Sequence, residues 1–399
     1  MAILAVNAGS SSLKFSIYPI AKEGVQASIL VGSVQGLEPG GSPSMSYTHS
    51  SSKATQALSA GQSDPFEVAL KELKHLLTQI PNLPPIQAVA HRIVHGGSEF
   101  TKGVISTPAI LEKLAELNSL APLHQPHNLQ GVIAFTQAFE GVPQVLCFDT
   151  AYHQTLSDLE RSFAIPQSLT NMGVRKYGFH GLSYEYIIST LVEHTALAQG
   201  RVLMAHLGNG ASLCASLKTH SIATTMGFSA LDGLMMGTRA GALDAGVILY
   251  LMEQGHTHDE IQRLLYQQSG LLGVSGLSAD MRRLRTMDQP LAKKAIDLFV
   301  YRVVRESGAM ISCLQGLDVL AFSGGIGEHD VLLRKAVCEQ LSWMGIKIDD
   351  TLNQTAVAQE IVKISSPTSA VQVWVIPTDE GKMAAKQAQM ILQLNSNPS

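Results

Sequence analysis

Only four of the 399 residues are cysteine, and Cys147, Cys214, Cys313 and Cys338 are scattered, with no CxxC pair among them. That argues against a disulfide framework or a zinc ribbon and fits a reducing cytoplasm. No apolar run approaches the ~18 residues of a membrane span. The N-terminus lacks a basic n-region and a long apolar h-region, so no secretory signal is expected. There is no basic excess either: Lys and Arg number 28 against 32 Asp and Glu, for a net charge of -4. No nucleic-acid footprint is therefore expected. The 14 histidines include the close pairs His91/His95, His124/His127 and His256/His258. None has Cys or acidic partners at ligand spacing, so no structural metal centre is expected. A GxxxxGK[ST] sequence is also missing, which excludes a P-loop.

What is present is alternation. "AILAV" (2–6), "IQAVAHRIV" (86–94), "VPQVLCFD" (142–149), "RVLMAHL" (201–207), "LDVLAFS" (317–323) and "VQVWVI" (371–376) read as strands. Several are continuously apolar, as strands buried on both faces are. Helix-like stretches lie between them at 66–79, 109–120, 183–198, 291–314 and 331–344. The pattern predicts an α/β architecture, and the length suits two or three domains. Residues 36–65, rich in Ser, Gly and Pro, are expected to form turns or an irregular meander. The tail "NSNPS" is expected to fray.

Three small-residue turns follow strands. "NAGSSSLKF" (7–15) joins two strand-like runs through one Gly and three Ser. "GNG" (208–210) and "GGIG" (324–327) sit at strand ends too. Turns of this composition let backbone N–H groups approach an anion, and Ser hydroxyls add donors. Lys14 adds charge on the face opposite Leu13, Phe15 and Ile17. Asn7 offers an amide oxygen to a phosphate-bound water or Mg²⁺. A single Ser-rich turn is equally well a polar hairpin; three together favour a nucleotide triphosphate held between small turns of two lobes. "GNGASL" lacks the third glycine of the dinucleotide fingerprint. Laid side by side, "AVNAGSSSLKFSI" (5–17) and "AHLGNGASLCASL" (205–217) place Ala5, Ser12 and Leu13 opposite Ala205, Ser212 and Leu213, which suggests two related halves.

Charged groups stand among glycines. Arg92 lies in "AHRIVHGG", Asp149 ends the strand of "CFDTAYHQ", His180 sits between two glycines in "YGFHGLSYEY", and Arg239 falls in "MMGTRAGALDAG". Singly, a loop arginine is a solvated side chain, Asp149 a helix cap and His180 a structural histidine. Jointly they resemble a phosphoryl-transfer site.

These stretches resemble the acetate kinase family, within the actin, Hsp70 and sugar-kinase superfamily. The matching motifs are "NAGSSSLKF", "HRIVHGG", "APLHQPHNL", "FDTAYHQT", "YGFHGLSYEY", "HLGNGASL", "GLMMGTRAG", "SADMR", "GGIGEH" and "PTDEG", in order from residue 7 to residue 381. The resemblance implies a duplicated actin-like (ribonuclease H-like) two-domain ATPase fold of the α/β class with a central cleft. The first domain would span 1–150, completed by a C-terminal helix over 382–399, and the nucleotide-binding domain 151–381. It implies a cytoplasmic homodimer that converts ATP and acetate to ADP and acetyl phosphate with Mg²⁺, Mn²⁺ being the alternative metal. Asn7 and Glu380 match metal-associated positions, and Lys14 a nucleotide-site position. Arg92 matches the carboxylate-binding arginine, and Val94, Leu123 and Phe179 the methyl-end pocket. Asp149, His180 and Arg239 match catalytic positions. His206, Leu207, Gly208, Asn209 and Gly210 match a phosphate-side loop. Asp280, Met281 and Arg282 match an adenosine-side segment, and Gly325, Ile326, Gly327, Glu328 and His329 a second one. Departures from the family's pattern are Gln125 and His329 where Asn is usual, and Asp379 and Gly381 where Asn and Glu are usual. Ala242 and Ala245 stand where Asp and Pro are common, and Ala230 where Pro is common.

A carboxylate acceptor is already ionised at neutral pH, with a pKa near ~4 to 5, so it needs no strong base. Its difficulty is that one anion must attack another. Arg92 and Arg239 answer this for the acetate and the phosphoryl group respectively. His180 donates as charge shifts to the phosphoryl oxygens. Asp149 is expected to orient Arg239 or a Mg²⁺-bound water. Two other classes compete. A sugar kinase would need a general-base Asp and no arginine pair. A non-catalytic ATPase-fold switch would need phosphate loops and no carboxylate clamp.

Overall fold

The computed structural model describes residues 1–38, 40–50, 52–59, 64–356 and 360–396. The chain divides into two compact units, Met1–Ala151 with Asp379–Ser399, and Tyr152–Thr378. These divisions fall one and three residues from the boundaries expected at 150/151 and 381/382. Helix Glu380–Ser396 packs on the first unit's sheet and carries the chain from Asp379 onward with it.

The first unit is built on a nine-stranded sheet. Its strands are β1 (Ala2–Ala8), β2 (Ser12–Ala21), β3 (Gly24–Val25), β4 (Leu30–Gln35), β5 (Ser44–His49), β6 (Ser52–Ala57), β7 (Ile86–Ile93), β8 (Val104–Ile105) and β9 (Gln144–Phe148). Their order is β6-β5-β4-β2-β1-β7-β9-β8, with β3 paired to β2. β1 is antiparallel to β2 and parallel to β7, and β7 is parallel to β9. One face of β1 and β2 buries Leu4, Val6, Leu13, Phe15 and Ile17 against Leu70, Leu73, Leu76 and Leu77 of helix Pro65–Gln79 and Phe135 of helix Gln125–Ala138. Asp64 starts the first of these helices by accepting the N–H groups of Phe66 and Glu67. Helix Glu380–Ser396 buries Met383, Ala384, Ala385 and Ala388 against β1 and β7.

The second unit has a six-stranded sheet of β10 (Arg201–Leu207), β11 (Ala211–Leu217), β12 (His220–Thr224), β13 (Val319–Ser323), β14 (Val362–Lys363) and β15 (Gln372–Val375). The order β12-β11-β10-β13-β15-β14 repeats β4-β2-β1-β7-β9-β8 strand for strand. An antiparallel hairpin again leads into three parallel strands and an antiparallel edge. Val202, Met204, Cys214, Val319 and Ala321 pack under Tyr184, Ile187, Ile188 and Leu191 of helix Gly181–His194. Helix Pro290–Leu314 packs on β10, β11 and β12.

The six expected strands form, with ends shifted by a few residues, as do the helices expected at 66–79 and 291–314; those expected at 109–120, 183–198 and 331–344 stop as α-helix at Ala115, His194 and Gln340 and are followed by short 3-10 segments. Two expectations need correction. β5 and β6 form a regular antiparallel pair that extends the first sheet. β6 is exposed throughout and β5 fully buries only Met45, so these Ser-rich strands carry too little apolar alternation to reveal this. The proposed residue match between the halves is also out of step. Ala205 faces Leu213, but Ala5 faces Ser16. The first hairpin has a longer turn, so an ungapped match cannot align both of its arms. The expected fraying at 395–399 falls partly on residues 397–399, outside those described; the helix itself runs to Ser396.

Three buried histidines, His91, His95 and His153, are each lowered to about 4 by burial. The unfolded chain takes up these protons near ~6.5. Between those values it binds more protons than the fold, so stability is lost as pH falls from 6.5 towards 4. The loss amounts to roughly 3 kcal/mol per histidine by pH 4. Urea unfolding at stepped pH from 7.5 to 5 should show it, and His91→Phe should flatten the slope. A slope identical in that variant would mean that His91 titrates alike in both states.

Candidate active site

In the first unit the three parallel strands deliver their last residues side by side, where open α/β sheets bind ligands. Val6 pairs with His91, so Asn7 comes level with Arg92. Arg92 pairs with Cys147, and the Asp149 N–H donates to the Ile93 carbonyl at 2.9 Å. Arg92 grips Asp149 in a fork, Nη2 to Oδ2 at 2.5 Å and Nε to Oδ1 at 3.1 Å. Glu380, the first residue of its helix, lies 3.4 Å from Nε. The Asp149 carboxylate is 1% exposed, whereas Arg92 and Glu380 are each 25% exposed. Within this unit Asp149 thus pairs with Arg92.

Two carboxylates against one guanidinium leave this cluster one negative charge in excess. Burial raises the Asp149 carboxyl, Arg92 draws it back, and Glu380 pushes it up again; the result is about 6. Burial also works against the Arg92 cation, but Asp149 and Glu380 outweigh it and hold Arg92 above its ordinary value. A bound cation would relieve the excess. The available donors, Asn7, Asp149 and Glu380, are all oxygens, which suits Mg²⁺ or Mn²⁺. Among the described residues no group of three His, Cys, Asp or Glu could hold a metal ion.

Asn128 sets the neighbouring backbone. It accepts from the Val94 N–H at 3.0 Å and donates to the Ala8 carbonyl at 2.6 Å, tying the ends of β7 and β1 together. Val94 is buried and Leu123 half-buried. Gln125, in place of the family's Asn, is buried and donates to the His95 carbonyl at 3.0 Å. Lys14, opposite Asn7 in the β1–β2 register, is exposed. The two departures at 379 and 381 belong together. Tyr18 donates to Asp379 Oδ1 at 2.6 Å, and Asp379 accepts the Lys382 N–H at 2.9 Å. A side chain on Gly381 would begin 2.5 Å from the Tyr18 oxygen. Removing it admits Tyr18, which then helps to hold the helix start that carries Glu380.

In the second unit His206 and Ser323 lie opposite each other at the ends of the parallel pair β10 and β13. His180 precedes helix Gly181–His194 at φ 58°, ψ 26°. A non-glycine residue in that left-handed conformation costs about 1–2 kcal/mol, a strain typical of functional positions. His180 Nε2 and Arg239 Nη1 converge on Gly210: a first side-chain carbon there would lie 3.3 Å and 3.9 Å from them. Gly210 thus leaves room for a ligand atom beside both. Arg239 is anchored by the Ala230 carbonyl at 3.0 Å. Its loop is tied to the glycine turn by the Gly237 N–H, which donates to the Asn209 carbonyl at 3.0 Å. Phe179 is buried, and its carbonyl accepts from His153 Nε2 at 2.9 Å.

A cavity of about 760 Å³ opens beside this turn. Gly208, Asn209, Asp280, Met281, Arg282, Gly325, Ile326 and His329 line it, so the three expected nucleotide segments meet at one place. Six residues of these segments are engaged within the fold itself. Asp280 and Arg282 pair with each other at 2.8 Å. Glu328 is buried and turned inward, accepting the N–H groups of Gly324 at 2.8 Å and Thr378 at 3.0 Å. Leu207 is fully buried and Gly327 is buried in helix Gly324–His329. His329 Nδ1 accompanies the Gly325 carbonyl at 3.0 Å.

Sequence reasoning missed three features here. The Arg285–Asp330 ion pair, at 3.0 Å, lines the same cavity. Fully buried Arg334 donates to the carbonyls of Gly327, Glu328, Asn353 and Ala356 and to Asn353 Oδ1, bracing the end of the Gly324–His329 segment. The hydroxyls of Ser183, Tyr184, Ser212 and Thr378 surround His180 and His206. Serine and arginine are common, and no spacing marks these as special.

The acetokinase family model matches residues 2–386. The acetate kinase of Rhodopseudomonas palustris is 47% identical over 390 residues, covering 96% of each chain. That of Nitrobacter hamburgensis is 42% identical over 402 residues, covering 100% of this chain and 98% of its own. Among solved structures, Porphyromonas gingivalis acetate kinase superposes with a TM-score of 0.88 at 35% identity, covering 98% of this chain and 99% of its own. A propionate kinase from Francisella tularensis also reaches 0.88 at 35% identity, covering 97% and 98%. The fold is accordingly the duplicated actin-like fold of these kinases. With the family model spanning all but the first residue and the last thirteen, the chain belongs to the acetokinase family.

Proposed function

We propose that this chain transfers the γ-phosphoryl group of ATP reversibly to acetate, giving acetyl phosphate and ADP. The family match supports this reading, and one observation carries it against a sugar kinase. Asp149, the acid a sugar kinase would need as a free base, has both oxygens engaged by Arg92. A carboxylate acceptor needs no base; it needs a cation. Asp149 takes the Nε/Nη2 edge of Arg92 and so fixes the guanidinium, whose remaining side meets the acetate carboxylate. Val94 and Leu123 meet the methyl group. ATP is held by the second unit, with its base in the cavity between the 280–282 and 325–329 segments and its phosphates towards Gly208–Gly210. His180 and Arg239, converging on Gly210, donate to the oxygens of the phosphoryl group in flight. Asn7 and Glu380 would hold Mg²⁺, which when bound neutralises charge on the phosphate oxygens.

The protein acts as a homodimer in this reading. Helix Ala245–Glu253 has the sequence AGVILYLME and no buried residue. Leu249, Tyr250 and Met252 are each more than half exposed. An apolar helix left in water is a contact surface, and a second copy of the chain is the occupant that the family implies. No helix among the described residues is long and apolar enough to cross a membrane, and all four cysteines are free, which fits the cytoplasm.

Three measurements test this. Arg239→Ala should lower kcat by at least ~10², with ATP affinity nearly kept, and Arg239→Lys should restore little because it lacks the fork. Near-normal kcat in the folded alanine variant would remove Arg239 from the mechanism. For selectivity, acetate should be the best substrate by kcat/KM, propionate weaker and butyrate poor. One methylene is worth only ~1–3 kcal/mol in such a pocket. Val94→Ala should lower KM for propionate more than for acetate, and an unchanged ratio would dismiss the pocket assignment. In sedimentation equilibrium the wild type should run as a dimer and Leu249→Glu as a monomer. A monomeric wild type at micromolar concentration would refute the assembly.

A further inference from the structure

The face of the second sheet that lies under helix Gly181–His194 changes character along its strands. Its middle is apolar, with Val202, Met204, Cys214, Val319 and Ala321. One step further, at the carboxyl ends of β10 and β13, it becomes polar, with His206, Ser212 and Ser323. The first turn of the helix sets Ser183 and Tyr184 against that polar edge. Ser212 Oγ lies 2.8 Å from His180 Nδ1 and 2.5 Å from the Tyr184 oxygen. Alongside, Ser183 Oγ lies 2.7 Å from His206 Nδ1 and 2.8 Å from Thr378 Oγ1. The two imidazoles stack with centroids 4.3 Å apart and planes 24° from parallel. Each therefore has Nδ1 tied to a buried serine. The Nε2 atoms face the glycine turn, 3.9 Å from a first side-chain carbon on Gly208 for His206 and 3.3 Å from one on Gly210 for His180.

The hydrogens of the first chain have a direction. Tyr184 is fully buried, and burial pushes its phenol well above the ordinary value, so it keeps its hydrogen. Its oxygen lies against Ser212 Oγ. A phenol is the stronger acid of the two and the better donor, and an aliphatic hydroxyl the better acceptor. The Tyr184 hydrogen therefore goes to Ser212, whose own hydrogen is turned to His180 Nδ1. A neutral imidazole that accepts at Nδ1 carries its hydrogen on Nε2.

We propose that Ser212 and Tyr184 are positioning residues that hold His180 in the Nε2–H tautomer, so that it presents a donor at the glycine turn. Resting on the phosphoryl-transfer reading above, this makes the relay part of the pre-set donor array for the group in flight. Nothing need rotate or lose a proton when charge develops on the phosphoryl oxygens. The opposite tautomer would present a lone pair to an anion and repel it.

The test is a ¹⁵N–¹H correlation spectrum of the histidine imidazoles in the full-length protein at pH 7.5, without ligands, with His180→Gln used to assign the signals. Wild type should show His180 protonated on Nε2 and accepting at Nδ1. Tyr184→Phe removes the hydroxyl that sets the direction, and Ser212→Ala removes the link. Both should yield a mixture of tautomers. In steady-state assays both should lose about tenfold in kcat, with KM for ATP and acetate within about twofold. A wild-type signal from Nδ1–H would overturn the proposal outright, as would variants that keep the pure Nε2–H form. A shifted tautomer with unchanged kcat would overturn its catalytic consequence. Tyr184→Phe leaves the buried volume almost intact, so it serves alone if Ser212→Ala does not fold. Wild-type protein inactive with acetate would refute the activity, while the tautomer spectrum would still decide the relay.

Discussion

The site depends on where parallel strands stop. β1, β7 and β9 run the same way in one unit, and β10, β13 and β15 in the other. Parallel strands in register end together, so residues distant in sequence arrive at one edge. Asn7, Arg92 and Asp149 are neighbours for that reason, and so are His206 and Ser323. Near these carboxyl ends the apolar runs give way to polar side chains, at Asn7, Arg92 and Asp149 in one unit and at His206 and Ser323 in the other. The sheet thus changes from core to site within one step of about 3.3 Å.

Charge sets the second constraint. The first unit gathers two carboxylates around one arginine, with Asp149 fully buried. Such a cluster is costly unless its partners are held to good geometry. Here the Arg92 fork supplies that geometry, and the excess negative charge leaves a place for a cation. The second unit does the opposite. It collects donors, namely Arg239, two histidines and glycine backbone, and keeps its acids either paired, as Asp280 with Arg282 and Asp330 with Arg285, or turned inward, as Glu328. A unit that collects donors suits polyphosphate; one that holds an acid-braced arginine suits a small carboxylate.

Several departures from the family's pattern acquire reasons from their contacts. Gly381 lacks a side chain where Tyr18 reaches Asp379. Gln125 uses its added length to hold the His95 carbonyl. Ala230 contributes only its backbone carbonyl to Arg239, a role any residue can fill. The structure offers no account of Ala242 and Ala245.

Composition, apolar periodicity and glycine placement by themselves determined the α/β class, the main strands and helices, and the residues that end them. These are local properties, since a run such as "RVLMAHL" becomes a buried strand wherever it lies. The motifs likewise named Arg92, Asp149, His180 and Arg239, because polar residues beside glycines at strand ends are visible in one dimension. Tertiary structure alone decided the partnerships. Arg92 takes Asp149 across two strands, Tyr18 takes Asp379 at a separation of 361 residues, and Tyr184 reaches His180 through Ser212. It also decided that β5 and β6 join the sheet, since Ser-rich edge strands are selected by pairing more than by burial. A hydrogen bond depends on distances of a few ångströms between groups far apart in the chain, and no local pattern encodes which hydroxyl will meet which imidazole once the sheets have formed.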